Sequence, residues 1–162
     1  MRRLFIAIEL PGEIRQKILD IEDDFKRSVE GNFVDKDKLH ITLLFLGDTG
    51  IDTDRIIDAL RPLKTAMTIE VGGIGVFPPR GEPHTLFMDI KTDLNGVYSE
   101  VCSALDIKEP RDFHPHVTIC RIKSINWDIS KLFERHSDNI LKFETYGPSL
   151  FNSDFENYSK IF

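Results

Sequence analysis

The tripeptide His-x-Thr occurs twice, as His40-Ile41-Thr42 and His116-Val117-Thr118. Each copy falls where the second strand of a repeated unit is expected. In the first copy, RLFIAIEL (Arg3 to Leu10) is apolar and ended by Pro11-Gly12, the pattern of a buried strand. Ile14, Ile18, Ile21, Phe25 and Val29 then recur at spacings of three and four. That predicts an amphipathic helix over Glu13 to Val29, with Gly31-Asn32 as its stop. LHITLLFLG (Leu39 to Gly47) reads as a strand. Ile56, Ile57, Leu60 and Leu63 mark a second helix, its N-cap among Asp52, Thr53 and Asp54. MTIEVGGIGVF (Met67 to Phe77) is a third strand, kinked at Gly72-Gly73.

After the punctuation of PPRGEP (Pro78 to Pro83) the order repeats. A strand over His84 to Ile90 precedes a helix lined by Val97, Val101, Ala104 and Leu105. A strand over Phe113 to Ile122, a helix over Trp127 to His136 and a strand over Ile140 to Tyr146 follow. The first strands begin near Leu4 and Leu86, 82 apart, and the motifs lie 76 apart (40 to 116). Loops absorb the difference of six. Two copies make an internal duplication, since a solenoid needs at least three repeats. The expectation is one α+β domain over 1–162, two pseudo-symmetric β-α-β-α-β lobes. From Pro148 the tail adds two short strands around a turn at Asp154 to Asn157.

Composition narrows the function classes. At 162 residues and 41% hydrophobic, the chain can bury about 68–70% of its unfolded surface and needs no disulfide or metal staple. Net charge is −6, from 21 Lys+Arg against 27 Asp+Glu, which does not supply the basic stripe that long duplex nucleic acid requires. A local anion site of one Arg and a few N–H groups is compatible with that background. Cys102 and Cys120 form no CxxC and read as free thiols of a reducing cytoplasm. Arg2-Arg3 before an apolar run superficially resembles a signal peptide, but Glu9 and Pro11 end the run too early. No run reaches the ~18–20 apolar residues of a membrane span. A cytoplasmic protein, monomeric for want of any feature demanding more, is expected.

Alternation along a strand puts residues i and i+2 on one face. His40 and Thr42 therefore point together, as do His116 and Thr118. If the copies pack about a pseudo-two-fold axis, both pairs meet in one cleft. Two facing imidazoles suit in-line phosphodiester cleavage. A neutral one takes a proton from the attacking hydroxyl or water, and a protonated one gives a proton to the departing alkoxide. Neighbouring hydroxyls hold the non-bridging oxygens. No metal or cofactor is called for. A lone His-x-Thr on an apolar strand is usually a core position; its recurrence on the matching strand of each copy reverses that preference.

HITLLFLG (His40 to Gly47) and FHPHVTICR (Phe113 to Arg121) resemble the paired signatures of the two-histidine (2H) phosphoesterase superfamily. FIAIELP (Phe5 to Pro11), the run Gly72 to Pro78 and Pro115-His116-Val117-Thr118 resemble its RNA 2′,3′-cyclic phosphodiesterase family, the 2′–5′ RNA ligase or LigT-like proteins. The resemblance implies a bilobed fold with a central cleft between two mainly antiparallel sheets. It implies hydrolysis of a 2′,3′-cyclic phosphate at an RNA terminus or on a short oligonucleotide, leaving a 2′-phosphomonoester. By the same analogy His116 is the general base, His40 the general acid, and Thr42 and Thr118 bind phosphate. Arg121 matches an arginine that meets the phosphate. Ideal alternation, however, points Arg121 away from Thr118, so its reaching the cleft requires a bulge or a strand end near Cys120. Two other readings stay open: 2′–5′ ligation as the reverse reaction, and a binding module that holds terminal phosphates without turnover.

Other residues receive plainer assignments. His114-x-His116 has metal-ligand spacing but lacks partner ligands. His136 ends a helix and favours its dipole. Phe45 falls opposite His40 by parity and is assigned to the core. Phe77, Phe87 and Phe113 are the aromatic candidates for stacking on a base, although among 12 Phe core is the default for any single one.

Overall fold

The computed structural model describes residues 2–109, 112–126, 128–154 and 157–162. Strand β1 (Arg3–Glu9) buries Leu4 to Ile8. Helix α1 (Gly12–Phe25) starts directly after Pro11 and lays Ile14, Ile18, Ile21 and Phe25 into the core, the predicted stripe. It stops four residues short of Val29, which instead opens strand β2 (Val29–Phe33). Gly31 explains the change. A Cβ there would collide with the carbonyl oxygen of Arg121, so this segment lies extended against another strand, and Gly31-Asn32 are ladder residues rather than a helix stop.

The remaining elements are β3 (His40–Gly47), α2 (Thr53–Leu60), β4 (Met67–Phe77), β5 (Thr85–Ile90), α3 (Asn95–Ala104), β6 (His116–Ile125), α4 (Ser130–His136), β7 (Ile140–Thr145), β8 (Ser149–Ser153) and β9 (Tyr158–Lys160). Asp52 caps α2, accepting from the Asp54 amide, and the Leu63 end of the predicted helix is a 3₁₀ turn. The strand predicted from Phe113 starts at His116. Trp127 and part of the predicted turn at Asp154 to Asn157 lie outside the described residues, although Asp154 N–H donates to Asn157 O across that turn.

The strands follow the order β7-β4-β5-β6-β3-β1-β8-β9, with β2 also on β6, and the pairings are antiparallel. In each lobe a first strand is flanked by its motif strand and, on its other side, by a strand from outside its own copy, the tail strand β8 beside β1 and the first copy's β4 beside β5. β1 lies between β3 and β8, and β5 lies between β6 and β4. The third strand of the first copy thus crosses into the second lobe, where sequence order alone assigned it to the first. The sheets join where Ile41 of β3 stands opposite Val117 of β6. Beyond that point β2 takes over the same edge of β6, from Phe33 opposite Cys120 to Val29 opposite Ile125.

Two buried acid–base features sit between α1 and its neighbours. Glu22 is 1% exposed, and burial raises its pKa to about 8, which keeps it a neutral acid beneath the sheet. His136 is buried too. Its Nε2–H donates to Asp24 (2.8 Å), and Asn139 Nδ2 donates to its Nδ1 (2.8 Å). It clamps α4 to α1, a tertiary role in addition to its expected position in the last turn of α4. Cys102 and Cys120 are buried free thiols. Among the described residues, no helix is long and apolar enough to cross a membrane.

Candidate active site

Ile41 opposite Val117 fixes the centre of the site. Both middle residues are fully buried, so the flanking His and Thr of each motif turn to the other face of the joined sheet. Antiparallel register then sets His40 beside Thr118 and Thr42 beside His116, the two imidazoles lying on one diagonal. His40, Thr42, His116, Thr118 and Arg121 line one cleft of about 430 Å³.

Arg121 reaches that cleft through a bulge. Leu86 pairs with Cys120 and Phe87 with Thr118, so Ile119 is the extra residue, and Ile119 and Cys120 are both buried. Alternation flips there, returning Arg121 to the histidine face. Its guanidinium Nη1 donates to Thr85 Oγ1 (3.1 Å). The first motif carries the same device. Ala7 pairs with Thr42 and Ile6 with Leu44, so Leu43 is the extra residue and Phe45 returns to the cleft. Parity assigned Phe45 to the core; its side chain is 70% exposed. In both motifs the fifth residue after the histidine faces the cleft, and two consecutive apolar residues after the Thr were the available signal.

Each imidazole is oriented by its own strand. His40 Nδ1–H donates to Lys38 O (2.6 Å) and His116 Nδ1–H donates to His114 O (2.7 Å). With Nδ1 so used, Nε2 is left to act on a substrate. In the neutral ring His40 Nε2 accepts from the Thr42 hydroxyl (2.7 Å). Burial is the chief cause that lowers both pKa values below the usual 6.5. The carbonyl hydrogen bonds oppose it. Arg15 and His116 add to the depression at His40, while His114 and Arg121 add to it at His116.

Aromatic rings back both histidines. Phe5 and Tyr158 lie 5.1 and 5.5 Å from the His40 ring. Phe77 and Phe87, stacked on each other at 4.1 Å, lie 5.1 and 5.5 Å from His116. Gly75 permits that stack, since a Cβ would meet the Phe87 ring at 2.5 Å. Phe87, at 6% exposure, is buried behind the His116 ring, whereas Phe77 is half-buried. Phe113 lines the cleft and stacks on Tyr98 at 4.2 Å. His114 pairs with Asp89 (3.2 Å). Among the described residues, no group of three or more His, Cys, Asp or Glu gathers into a metal-binding cluster.

The 2′-5′ RNA ligase superfamily model matches residues 11–145. An RNA 2′,3′-cyclic phosphodiesterase of Archaeoglobus fulgidus is 29% identical over 143 residues, covering 83% of this chain and 81% of the relative. One of Methanocaldococcus jannaschii is 31% identical over 135 residues, covering 76% and 73%. The crystal structure of Escherichia coli LigT complexed with 3′-AMP superposes with a TM-score of 0.78 at 23% identity, covering 99% of this chain and 95% of that one; this likeness concerns the fold. A family match over most of the chain, with relatives aligned along three quarters of it or more, makes this protein a member of the 2′-5′ RNA ligase superfamily.

Proposed function

We propose that this protein is a metal-independent RNA 2′,3′-cyclic phosphodiesterase that leaves a 2′-phosphomonoester. The observation that carries this reading is the matched pair of imidazoles. Both spend Nδ1–H on the carbonyl two residues upstream and line one cleft with two threonines and Arg121. A site that only held phosphate would gain nothing from two rings kept largely neutral by burial, because Arg or Lys binds an anion at any ordinary pH.

In the reaction, His116 Nε2 takes a proton from water as its oxygen bonds to phosphorus. The bond from phosphorus to the 3′-oxygen breaks, and protonated His40 Nε2 delivers a proton to that oxygen. The products are a 3′-hydroxyl and a 2′-phosphate, and proton exchange with solvent restores the two rings. Thr42, Thr118 and Arg121 hold the non-bridging oxygens where charge builds in the transition state. The relatives named above as RNA 2′,3′-cyclic phosphodiesterases support the substrate class. The net charge of −6 favours an RNA end or a short oligonucleotide over long duplex.

The test uses a short RNA ending in a 2′,3′-cyclic phosphate, with excess EDTA and products resolved by phosphate position. Wild type is expected to give the 2′-phosphate. His40→Ala and His116→Ala are each expected to lose about 10²–10⁴-fold in rate. A 3′-phosphate product would exchange the acid and base roles. No turnover by folded wild type would sink the proposal and favour a phosphate-binding module.

A further inference from the structure

A second cavity of about 400 Å³ opens on the far side of His40, lined by Arg15, Asp37, Phe151, Tyr158 and Lys160 among others. His40 and Tyr158 line both cavities, so the spaces adjoin through these two side chains. From this we infer a second-nucleotide subsite, holding the nucleotide that precedes the cyclic-phosphate terminus, its base against Tyr158 and the internucleotide phosphate toward Arg15. The inference rests on the acid and base roles proposed above.

The geometry of displacement supplies the direction. In an in-line reaction the attacking water and the departing 3′-oxygen lie on opposite sides of phosphorus. With water at His116, the 3′-oxygen is at His40, and the ribose goes with it. The chain leaves that ribose through its 5′-oxygen, so everything upstream of the terminus lies on the His40 side. The second cavity is on that side.

Its lining suits a nucleotide. The Tyr158 ring makes T-shaped contacts with His40 (77°) and with Phe5 (5.1 Å) and carries the Lys38 ammonium over one face at 5.7 Å from its centroid, so the inferred base stacks on the opposite face. Arg15 Nε donates to Leu10 O (2.9 Å), which fixes the orientation of the guanidinium, and its charge is felt at His40. Glu9 also lines the cavity, but its carboxylate is paired with Lys160 (2.8 Å). Asp37 supplies an acceptor for base N–H groups.

The experiment compares kcat/KM for a nucleoside 2′,3′-cyclic monophosphate with that for a dinucleotide carrying the same cyclic terminus. Wild type should prefer the dinucleotide by about ten-fold or more, the scale of one stacked base. Tyr158→Ala and Arg15→Gln should each reduce that ratio at least about five-fold, with Arg15→Lys restoring part of it and circular dichroism showing native folding. Equal use of both substrates by wild type would remove the subsite while leaving the phosphodiesterase reading intact. A dinucleotide preference indifferent to both substitutions would also overturn the inference, by placing the second nucleotide elsewhere. If folded wild type hydrolyses neither substrate, the catalytic reading fails and the subsite fails with it.

Discussion

The two motif strands, β3 and β6, present their histidines in the same way and surround them differently. The shared part is backbone. Each ring is tied through Nδ1–H to the carbonyl two residues before it, and each strand bulges three residues after it, at Leu43 and at Ile119. The differing part is what the bulge delivers. The first motif returns exposed Phe45 to the cleft, and the second returns Arg121. Opposite the histidines stand Glu9, held by Lys160, and Asp89, held by His114. Duplication thus accounts for the precision of the paired imidazoles. On the reading proposed above, the one position at which the copies diverge offers an aromatic ring to a nucleoside from β3 and a guanidinium to phosphate from β6.

If the imidazoles work as one unit, His40→Ala combined with His116→Ala should lose little more than either alone. Each single change removes a proton transfer that contributes about 10²–10⁴-fold, and residues acting together are grossly non-additive. Single-turnover assays of the three variants decide it. Losses that multiply would mean that the rings act independently, and the functional pairing would be broken.

The fifth residues should differ in kind. Arg121→Gln removes a charge-assisted contact of about 1.5–3 kcal/mol, so kcat/KM should fall about 10–100-fold, with much of the loss in kcat if the charge matters most in the transition state. Phe45→Ala should raise KM about five-fold or more by removing a stacking face, and should leave kcat closer to wild type. Steady-state kinetics on one oligonucleotide measures both. If both variants lose kcat alone, the assignment of a nucleoside side and a phosphate side is wrong.

Much of this was legible in the sequence because side-chain period and strand length are local properties. β1, β3, β4 and the apolar stripe of α1 follow from apolar spacing, and the recurrence of His-x-Thr picked out the two strands that meet. What stayed hidden depends on partners distant in sequence. Val29 continues the helical spacing of α1, yet it pairs with Ile125 across the free edge of β6. Phe45 sits at a core parity until the Leu43 bulge reverses it. Tyr158 belongs to a tail whose place beside His40 depends on β8 pairing with β1. Glu22 sits in the buried stripe of α1 as a charged residue type, and its burial follows only from what packs over it.

The smallest expected effect is a displacement of one limb of the pH profile. On the proposed mechanism the active free enzyme carries one proton on the two rings, so kcat/KM should be bell-shaped. Burial disfavours the imidazolium form of both. Each ring therefore gives up its proton below pH 6.5, and the singly protonated population peaks on the acid side of that value. A bound phosphodiester brings negative charge beside the rings and stabilises imidazolium, so the limbs of kcat should lie at higher pH than those of kcat/KM. Arg121 is one of the causes that depress His116, whereas Arg15 and His116 are the cationic neighbours acting on His40. Arg121→Gln should consequently raise the limb governed by His116 more than the other, while Arg15→Gln should raise the limb governed by His40. Profiles of kcat/KM for wild type and both variants test this on one substrate at constant ionic strength. An optimum above pH 6.5 would mean that burial does not hold the rings down, and both limbs moving together in either variant would mean that the two rings share one electrostatic environment, leaving the division between the halves to rest on shape alone.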